Sequence, residues 1–334
     1  MPGAVIVVGG RGRILYRKAF GLAAIEPRRL PMRPDAVFDL ASLTKVVATT
    51  TAIMQLCETG ALQLDEPVAH YWPEFGAAGK AAITIRQLLT HTSGLRPDID
   101  AAARWSGAQG ALAWIAADHP VVRPGSGFLY SDLNFIVLGE LVQRASGEPL
   151  DVYAKEHIFA PLGMSDTTFH PAPAERARIV PTDRQDGVLR WGEVQDPTAH
   201  RMGGVAGHAG LFASADDLAK FASVLLDGGA TANVRILRPE TVAEMTHRTT
   251  LPGGMQRALG WDIASPYAAG MDAVLGPDGF GHTGYTGTLL WLDPDRDVFL
   301  VVLTSRLHPD DRGDAKPIRA RVAHAVAAML QAKS

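Results

Sequence analysis

The two ends of the chain carry short apolar runs typical of β-strands. Residues 4–8 and 14–20 are largely apolar, and the glycine-rich segment between them predicts a β-hairpin. Residues 288–292 and 298–304 are two further apolar runs joined by an Asp-Pro-Asp-Arg-Asp turn, which predicts a second hairpin. Because strands stand at both ends with helices between them, we expect one sheet built from both termini.

Helical spacing of apolar positions dominates the middle of the chain. A strongly apolar helix begins near Ser42 and stops at Gly60, and its many apolar residues predict that it is central and buried. A Thr-x-x-Gln capping box at Thr84 opens another helix. Further helices are predicted at residues 108–117, 133–144, 150–159, 215–226 and 316–331.

Three segments lack helical spacing. Residues 171–202 are rich in proline, charge and glycine and predict a long surface loop. Residues 203–210 are mostly glycine and alanine, which predicts a close approach of two backbone segments. Residues 258–263 predict one more strand.

These elements predict an α/β (α+β) fold in which an antiparallel sheet is flanked by helices and joined to a mostly helical lobe. We expect all 334 residues to form one catalytic unit. Its α/β lobe would comprise residues 1–58 and about 203–334, and the helical lobe would be an insertion at about 59–202.

Composition excludes several classes of function. Hydrophobic residues make up 47% and charged residues 20%, as in ordinary globular proteins. A net charge of −3 gives no electrostatic reason to expect nucleic acid or an anionic membrane as a partner. No apolar stretch is long enough to span a bilayer, and the N-terminus has no signal-peptide pattern, so both the cytoplasm and export after leader removal stay open. The single cysteine, Cys57, is expected to be a buried filler.

Three short motifs carry the candidate chemistry. In Ser42-x-x-Lys45 the two side chains lie on one face of a helix, where the lysine can help to draw the proton from the serine hydroxyl. The second motif is Tyr130-Ser131-Asp132, on a loop before a helix. The third is Gly281-His282-Thr283-Gly284, just ahead of a predicted hairpin strand.

Together these motifs resemble those of the serine β-lactamase and penicillin-binding-protein superfamily. The segments Leu88–Leu95, Tyr130–Asn134 and Ser214–Leu218 are typical of one branch, which contains class C β-lactamases, D-alanyl-D-alanine carboxypeptidases and family VIII esterases. The matches run in order along essentially the whole chain.

The resemblance implies an acyl-transfer mechanism. Ser42 would be the acylated nucleophile, Lys45 would relay protons, and Tyr130 would be the partner base and later the acid. Tyrosine does this at neutral pH only if a neighbouring cation stabilises the phenolate. The backbone N–H groups of Ser42 and Tyr285 would form the oxyanion hole, where each donor is typically worth about 3–4 kcal/mol. The implied substrate-binding residues are Asp132, His208, His282, Thr283 and Gly284.

Two departures from the family pattern bear on the substrate. Asp132 stands where the family usually has asparagine; it cannot donate a hydrogen bond to an acylamide carbonyl, but it can pair with Lys45, accept from an amine, or merely cap the next helix. His282 replaces lysine, which weakens the positive charge available to a substrate carboxylate. We therefore expect small carboxylic esters first, D-amino-acid peptides or amides second, and β-lactams as a weak side activity.

Other interpretations remain open. His208 either lines the cleft or is structural, and His91 is expected to be structural. The histidines show no metal-ligand spacing, so we expect neither a metal nor a cofactor. A non-catalytic binding protein and a transacylase are rival functions, and the sequence does not determine the oligomeric state.

Overall fold

The computed structural model describes residues 1–268, 271 and 276–331, and its centre is a nine-stranded antiparallel sheet. The strands of this sheet are β1 (Gly3–Gly10), β2 (Arg13–Ala24), β3 (Leu30–Pro31), β8 (Thr249–Thr250), β9 (Gln256–Arg257), β10 (Asp262–Ala264), β11 (Phe280–Thr283), β12 (Leu289–Asp293) and β13 (Val298–Thr304). Their order is β3-β2-β1-β13-β12-β11-β10-β9-β8. Two short separate pairs are β4 (Val37–Asp39) with β7 (Phe212–Ser214), and β5 (Arg184–Gln185) with β6 (Val188–Leu189).

The sheet joins the two ends of the chain, as the sequence predicts. Strand β1 pairs with β2 on one side and with β13 on the other, with Val5 opposite Leu303. Side chains of a strand alternate between the two faces of a sheet. Val5 and Val7 therefore enter the large core, whereas Ile6 and Val8 enter the smaller cluster on the opposite face.

Helices cover both faces of the sheet and build the rest of the molecule. They are α1 (Thr51–Glu58), α2 (Val68–Tyr71), α3 (Ile85–Leu89), α4 (Gly107–Ala117), α5 (Asp132–Ser146), α6 (Leu150–Ala154), α7 (Pro197–Arg201), α8 (Ala215–Leu226), α9 (Pro239–Thr246) and α10 (Lys316–Gln331). Helix α8 belongs to the large core and packs on β1 and β13. Helix α10 contributes Ala323 and Val326 to the smaller cluster. In the described part of the chain, no helix has the length and apolarity that a membrane crossing requires.

The central helix forms as predicted but is not regular. It begins with a 3₁₀ turn at Ala41–Leu43, continues as a π-helical segment at Lys45–Thr50 and becomes α1. All six residues of the π-helical segment are buried. Single π-helical turns inside helices often mark functional sites, and this one carries Lys45.

Two sequence predictions need correction. The strand expected at residues 258–263 is split, because Ala258 donates to the Trp261 carbonyl at 3.0 Å in a tight turn. Gly260 in that turn has a φ of 77°, which a β-strand does not allow. Residues 171–202 are not only a surface loop either. They contain β5, β6 and α7, and Gln195 is buried where its N–H donates to Asp39 at 2.7 Å.

The glycine-rich segment is a point of close backbone contact, as its composition predicts. A Cβ atom added at Gly207 would lie 1.9 Å from the Phe135 carbonyl oxygen and 3.0 Å from the Gly139 nitrogen. Only glycine lets this segment approach α5 so closely. The contact fixes the neighbouring His208 beside the central helix, since the Gly207 carbonyl also accepts from Thr49 at 2.7 Å. The division into two lobes stays a prediction.

Candidate active site

Ser42 stands at a bend in the backbone that buried groups hold in place. The preceding residue, Ala41, has a φ of 47°, a left-handed conformation that is unusual for a residue with a side chain. Its N–H donates to Asp39 at 2.8 Å, and its carbonyl accepts from Thr44 at 2.7 Å. Burial raises the pKa of Asp39 to about 7, against the backbone donors of Gln195 and Ala41.

Lys45 is fully buried and donates a hydrogen bond to the Ser42 hydroxyl. Its ammonium group lies 2.9 Å from the Ser42 hydroxyl, 3.0 Å from the His208 carbonyl and 2.7 Å from Asp132. Two of these oxygens accept hydrogen bonds from the ammonium group, and the third belongs to its ion-pair partner, Asp132. Burial disfavours the charged form, but Asp132 and Tyr130 outweigh it and raise the pKa of Lys45 above its ordinary value. The resting site therefore contains a lysine ammonium group.

Tyr130 reaches the same point from the loop before α5. The Lys45 nitrogen lies 5.1 Å from the centre of its ring, and its hydroxyl interacts with Ser42 and Lys45. Burial and the Asp132 charge raise the pKa of Tyr130, and the opposing effect of Lys45 does not compensate. Lys45 is the cation that could stabilise a Tyr130 phenolate, but Asp132 offsets its charge. Tyr130 is thus a neutral phenol in the resting site.

His91 supports Tyr130 from behind, in the structural position expected of it. The two rings stack with their centres 4.3 Å apart. The His91 Nδ1 accepts the Ser131 N–H at 3.1 Å, and the His91 carbonyl accepts the Leu129 N–H at 2.9 Å. Burial and the nearby Arg257 charge lower the pKa of His91 well below its ordinary value, so its ring is neutral.

The geometry distinguishes between the two roles considered for Asp132, which are to cap the next helix or to pair with Lys45. Ser131 is the residue that caps α5, because its hydroxyl accepts the Asn134 N–H at 3.4 Å. Asp132 is the first residue of the helix and pairs with Lys45. Its Oδ1 atom is buried, whereas the side chain as a whole is 24% exposed. One carboxylate oxygen therefore pairs with Lys45 out of contact with solvent, while the rest of the side chain is partly accessible.

A further carboxylate, which the sequence analysis missed, completes this side of the cleft. Asp196 lies 2.9 Å from the buried His208 ring and caps α7 through the Ala199 N–H at 2.8 Å. The attraction between Asp196 and His208 outweighs burial, so it lowers the pKa of Asp196 to about 2 and raises the pKa of His208. His208 thus contributes a carbonyl to Lys45 and an imidazolium ring to Asp196. Asp196 lies within the segment 171–202, where apolar residues show no helical or strand spacing, so no local pattern identified it as a site residue.

The third motif forms the opposite wall. His282 is buried on β11 and its Nδ1 lies 2.9 Å from the Thr283 carbonyl. Burial, followed by the charges of Arg257 and Lys45, lowers the pKa of His282 well below its ordinary value. The ring is therefore neutral, and His282 offers no positive charge to a substrate.

The turn after this motif is attached to the backbone that precedes Ser42. Thr286 donates to the Asp39 carbonyl at 2.8 Å, and Thr288 donates to the Leu40 carbonyl at 3.0 Å. A Cβ atom at Gly284 would lie 2.5 Å from the same Leu40 oxygen, so this position requires glycine. Tyr285, on this turn, has a side chain that is largely exposed. The turn and the serine are held in one rigid unit.

An aromatic wall lies between the second and third motifs. The Tyr267 ring lies 5.0 Å from Tyr130 and 6.5 Å from Phe128, measured between ring centres. Thr283 approaches the Tyr267 carbonyl at 3.5 Å. Neither Tyr267 nor Phe128 belongs to a motif, which is why the sequence did not identify them.

Two groups of described residues have the spacing of metal ligands. They are Asp132, Asp196 and His208, and Glu148, Glu156 and His157, with ligand atoms within 4.8 Å of one another in each group. Histidine binds metal only in its neutral form, whereas Asp196 stabilises charged His208. The second group is largely exposed and lies apart from the three motifs. We assign a metal to neither group.

Comparison with known proteins places this geometry in a family. The beta-lactamase family model matches residues 1–325. The chain is similar to a putative D-alanyl-D-alanine carboxypeptidase of Escherichia coli (strain K12), with 31% identity over 344 residues that cover 92% of this chain and 79% of that protein.

Solved structures share the fold. An octameric penicillin-binding protein homologue from Pyrococcus abyssi superposes with a TM-score of 0.78 at 25% identity, over 99% of this chain and 74% of that one. A family VIII carboxylesterase has a TM-score of 0.73 over 98% of this chain and 92% of that one; at 24% identity it supports the fold alone. The chain therefore belongs to the beta-lactamase family, and it is a hydrolase with the serine beta-lactamase fold.

Proposed function

We propose that this hydrolase cleaves small carboxylic esters through an acyl-enzyme on Ser42. The observation that carries the proposal is the 2.9 Å contact between the Ser42 hydroxyl and the fully buried Lys45 ammonium group. A serine becomes a useful nucleophile when an adjacent group takes its proton. Tyr130 is the group that interacts with both side chains.

The proposed reaction has two halves. Tyr130 first loses its proton to solvent, and its phenolate then accepts the Ser42 proton as the serine oxygen attacks the ester carbonyl. The resulting phenol protonates the departing alcohol. Water cleaves the acyl-enzyme by the same proton transfers and releases the carboxylic acid. The N–H groups of Ser42 and Tyr285 stabilise the oxyanion in both halves. Because the pKa of Tyr130 is raised, turnover should increase as the pH rises.

The neutral third motif favours simple esters over substrates with a free carboxylate. A peptide that ends in a carboxylate needs a cationic partner when its charge enters a site of low dielectric constant. His282 is neutral and supplies none. A small ester places no such requirement on the site.

Hydrolysis of a short-chain p-nitrophenyl ester tests this function directly. Wild type should turn over and show a transient acyl adduct on Ser42 by intact-protein mass spectrometry. Ser42→Ala should lose both properties while its circular dichroism spectrum stays that of the folded protein. Ser126→Ala, at an exposed loop serine, is the matched control and should keep full activity. Turnover retained in Ser42→Ala would refute the mechanism.

A D-amino-acid peptidase or amidase is the second candidate. It is supported by the 31% identity to the putative carboxypeptidase. Release of D-alanine from D-alanyl-D-alanine by a wild type that is inert towards esters would establish it. Hydrolysis of β-lactams would be a weak side activity of the same serine.

Two rival functions are tested in the same assays. A transacylase would form an acceptor-dependent ester or amide when an alcohol or amine is added, which mass spectrometry detects. A non-catalytic binding protein would be inert towards esters, amides and peptides alike. The contacts between Ser42, Lys45 and Tyr130 count against the second rival, because packing alone does not require all three residues.

A further inference from the structure

The cleft presents a carboxylate oxygen close to the nucleophile. The Lys45 ammonium group lies 2.9 Å from the Ser42 hydroxyl and 2.7 Å from Asp132 Oδ1. The Asp132 carboxylate therefore lies no farther from the nucleophile than the sum of these two distances. Oδ1 is buried against Lys45, whereas the Asp132 side chain as a whole is 24% exposed, so part of this side chain stays accessible close to Ser42.

A second carboxylate lies beside the first. Ligand atoms of Asp132 and Asp196 are within 4.8 Å of each other. The Asp196 side chain is 23% exposed, and its Oδ1 is occupied by His208 and by the Ala199 N–H. An ammonium group makes hydrogen bonds of about 2.7–2.9 Å to carboxylates, so one such group can contact two oxygens at this spacing.

The charges around this space admit a cation. Three carboxylates, Asp98, Asp132 and Asp196, lie on this side of the site with two cationic groups, Lys45 and His208. Lys45 lies 2.7 Å from Asp132, and His208 lies 2.9 Å from Asp196. Asp98 accepts a hydrogen bond from the Thr198 hydroxyl at 3.0 Å. On the opposite wall His282 is neutral. The nearby cations Lys45, His208 and Arg257 are each already paired with a carboxylate, at 2.7, 2.9 and 3.4 Å. An anionic acyl group would have to compete with these carboxylates, whereas a cationic one would not.

We infer that Asp132 determines specificity by selecting acyl groups with a positive charge next to the carbonyl, as in aminoacyl esters. The inference rests on the proposed ester hydrolysis at Ser42. In such an ester the ammonium nitrogen is two bonds from the carbonyl carbon that the serine attacks. The Lys45 nitrogen alone separates the Ser42 hydroxyl from Asp132, so the ammonium group of an ester bound at Ser42 can reach Asp132. Asp196 supplies the second acceptor for the same ammonium group.

Three methyl esters of nearly equal size and different charge test the inference. Glycine methyl ester carries an ammonium group, methyl propionate is neutral, and monomethyl malonate is anionic. Methanol release gives kcat/KM for each, at a pH at which the glycine amine is protonated. We expect wild type to rank them in that order, because charge-assisted hydrogen bonds to the ammonium group stabilise its transition state.

The decisive quantity is the change in selectivity on mutation, since the ratio of two esters cancels their intrinsic reactivities and any loss of activity that affects both esters equally. Asp132→Asn should reduce the preference for glycine methyl ester over methyl propionate by about tenfold or more. Asp196→Asn should also reduce this preference, and it leaves the ion pair between Lys45 and Asp132 in place. Asp295→Asn, at the exposed hairpin turn between β12 and β13, should leave it unchanged.

The outcomes separate the inference from the proposed function. If wild type cleaves methyl propionate and the selectivity of both Asp132→Asn and Asp196→Asn equals that of wild type, the inference is refuted and the esterase proposal stands. If Asp132→Asn is inactive, the preference of Asp196→Asn for glycine methyl ester over methyl propionate decides: a value equal to that of wild type refutes the inference. If wild type cleaves none of the three esters, the proposed function fails and the inference fails with it.

Discussion

Replacement of Asp132 by asparagine should destabilise the folded protein by removing the counter-ion of a buried charge. Lys45 is fully buried, and its nitrogen lies 2.7 Å from Asp132 Oδ1. At an effective dielectric constant of about 20, Coulomb's law gives roughly 6 kcal/mol of attraction at this separation. Loss of one partner of a buried pair costs about 3–5 kcal/mol. Because Asp132 is partly exposed and asparagine still offers a carbonyl acceptor, we expect the free energy of unfolding to fall by about 2–3 kcal/mol.

The pH dependence of this loss follows from the pKa of Lys45. In wild type that pKa is raised above 10.5, so the contribution of Lys45 to stability is present in full below that pH and is lost only as the pH rises through the folded-state value. Burial is the largest effect on the pKa of Lys45, and Asp132 is the largest effect that opposes it. Without Asp132 we therefore expect this pKa to fall below its unfolded value. The variant should then lose stability as the pH falls, so its deficit relative to wild type should be smaller at high pH.

Urea unfolding followed by circular dichroism measures both effects. Wild type, Asp132→Asn, Lys45→Met and the double variant form a cycle, in which asparagine at position 132 should cost little once the lysine charge is absent. Asp295→Asn controls for the general loss of a carboxylate. A coupling energy indistinguishable from zero, or a deficit for Asp132→Asn that does not shrink between about pH 6 and about pH 9, would show that Asp132 does not hold the Lys45 charge.

Two further predictions concern the base and the backbone. Tyr130→Phe removes the hydroxyl that interacts with Ser42 and Lys45, so kcat should fall about 10²–10⁴-fold with unfolding unchanged; a wild-type kcat for p-nitrophenyl ester hydrolysis would exclude Tyr130 as the base. Gly207→Ala would place a Cβ atom 1.9 Å from the Phe135 carbonyl oxygen, so thermal unfolding should report a loss of at least about 2 kcal/mol; an unchanged melting temperature would mean that the segment shifts freely.

The local sequence was sufficient to predict most of the fold and the contact between the proposed nucleophile, Ser42, and Lys45. Ser42 and Lys45 meet because residues three apart share one face of a helix, and the structure gives 2.9 Å between them. The hairpins and the capped helices also follow from short patterns, since apolar alternation and capping residues act over a few positions. The misplaced strand at residues 258–263 shows the limit of such patterns, because a turn at Gly260 interrupts an apolar run.

The electrostatic state of the site depends on tertiary contacts that no local pattern records. Asp196 and His208 come together from separate segments, and Asp132 contacts Lys45 from the start of a different helix. The sequence contains each of these charges, and its motifs place most of them near the site. Their pKa values depend on burial and on which opposite charge lies within a few ångströms. Sequence alone thus determined which groups could carry out acyl transfer, whereas the tertiary structure decided that Lys45 is charged, Tyr130 is neutral and Asp132 is the partner of Lys45.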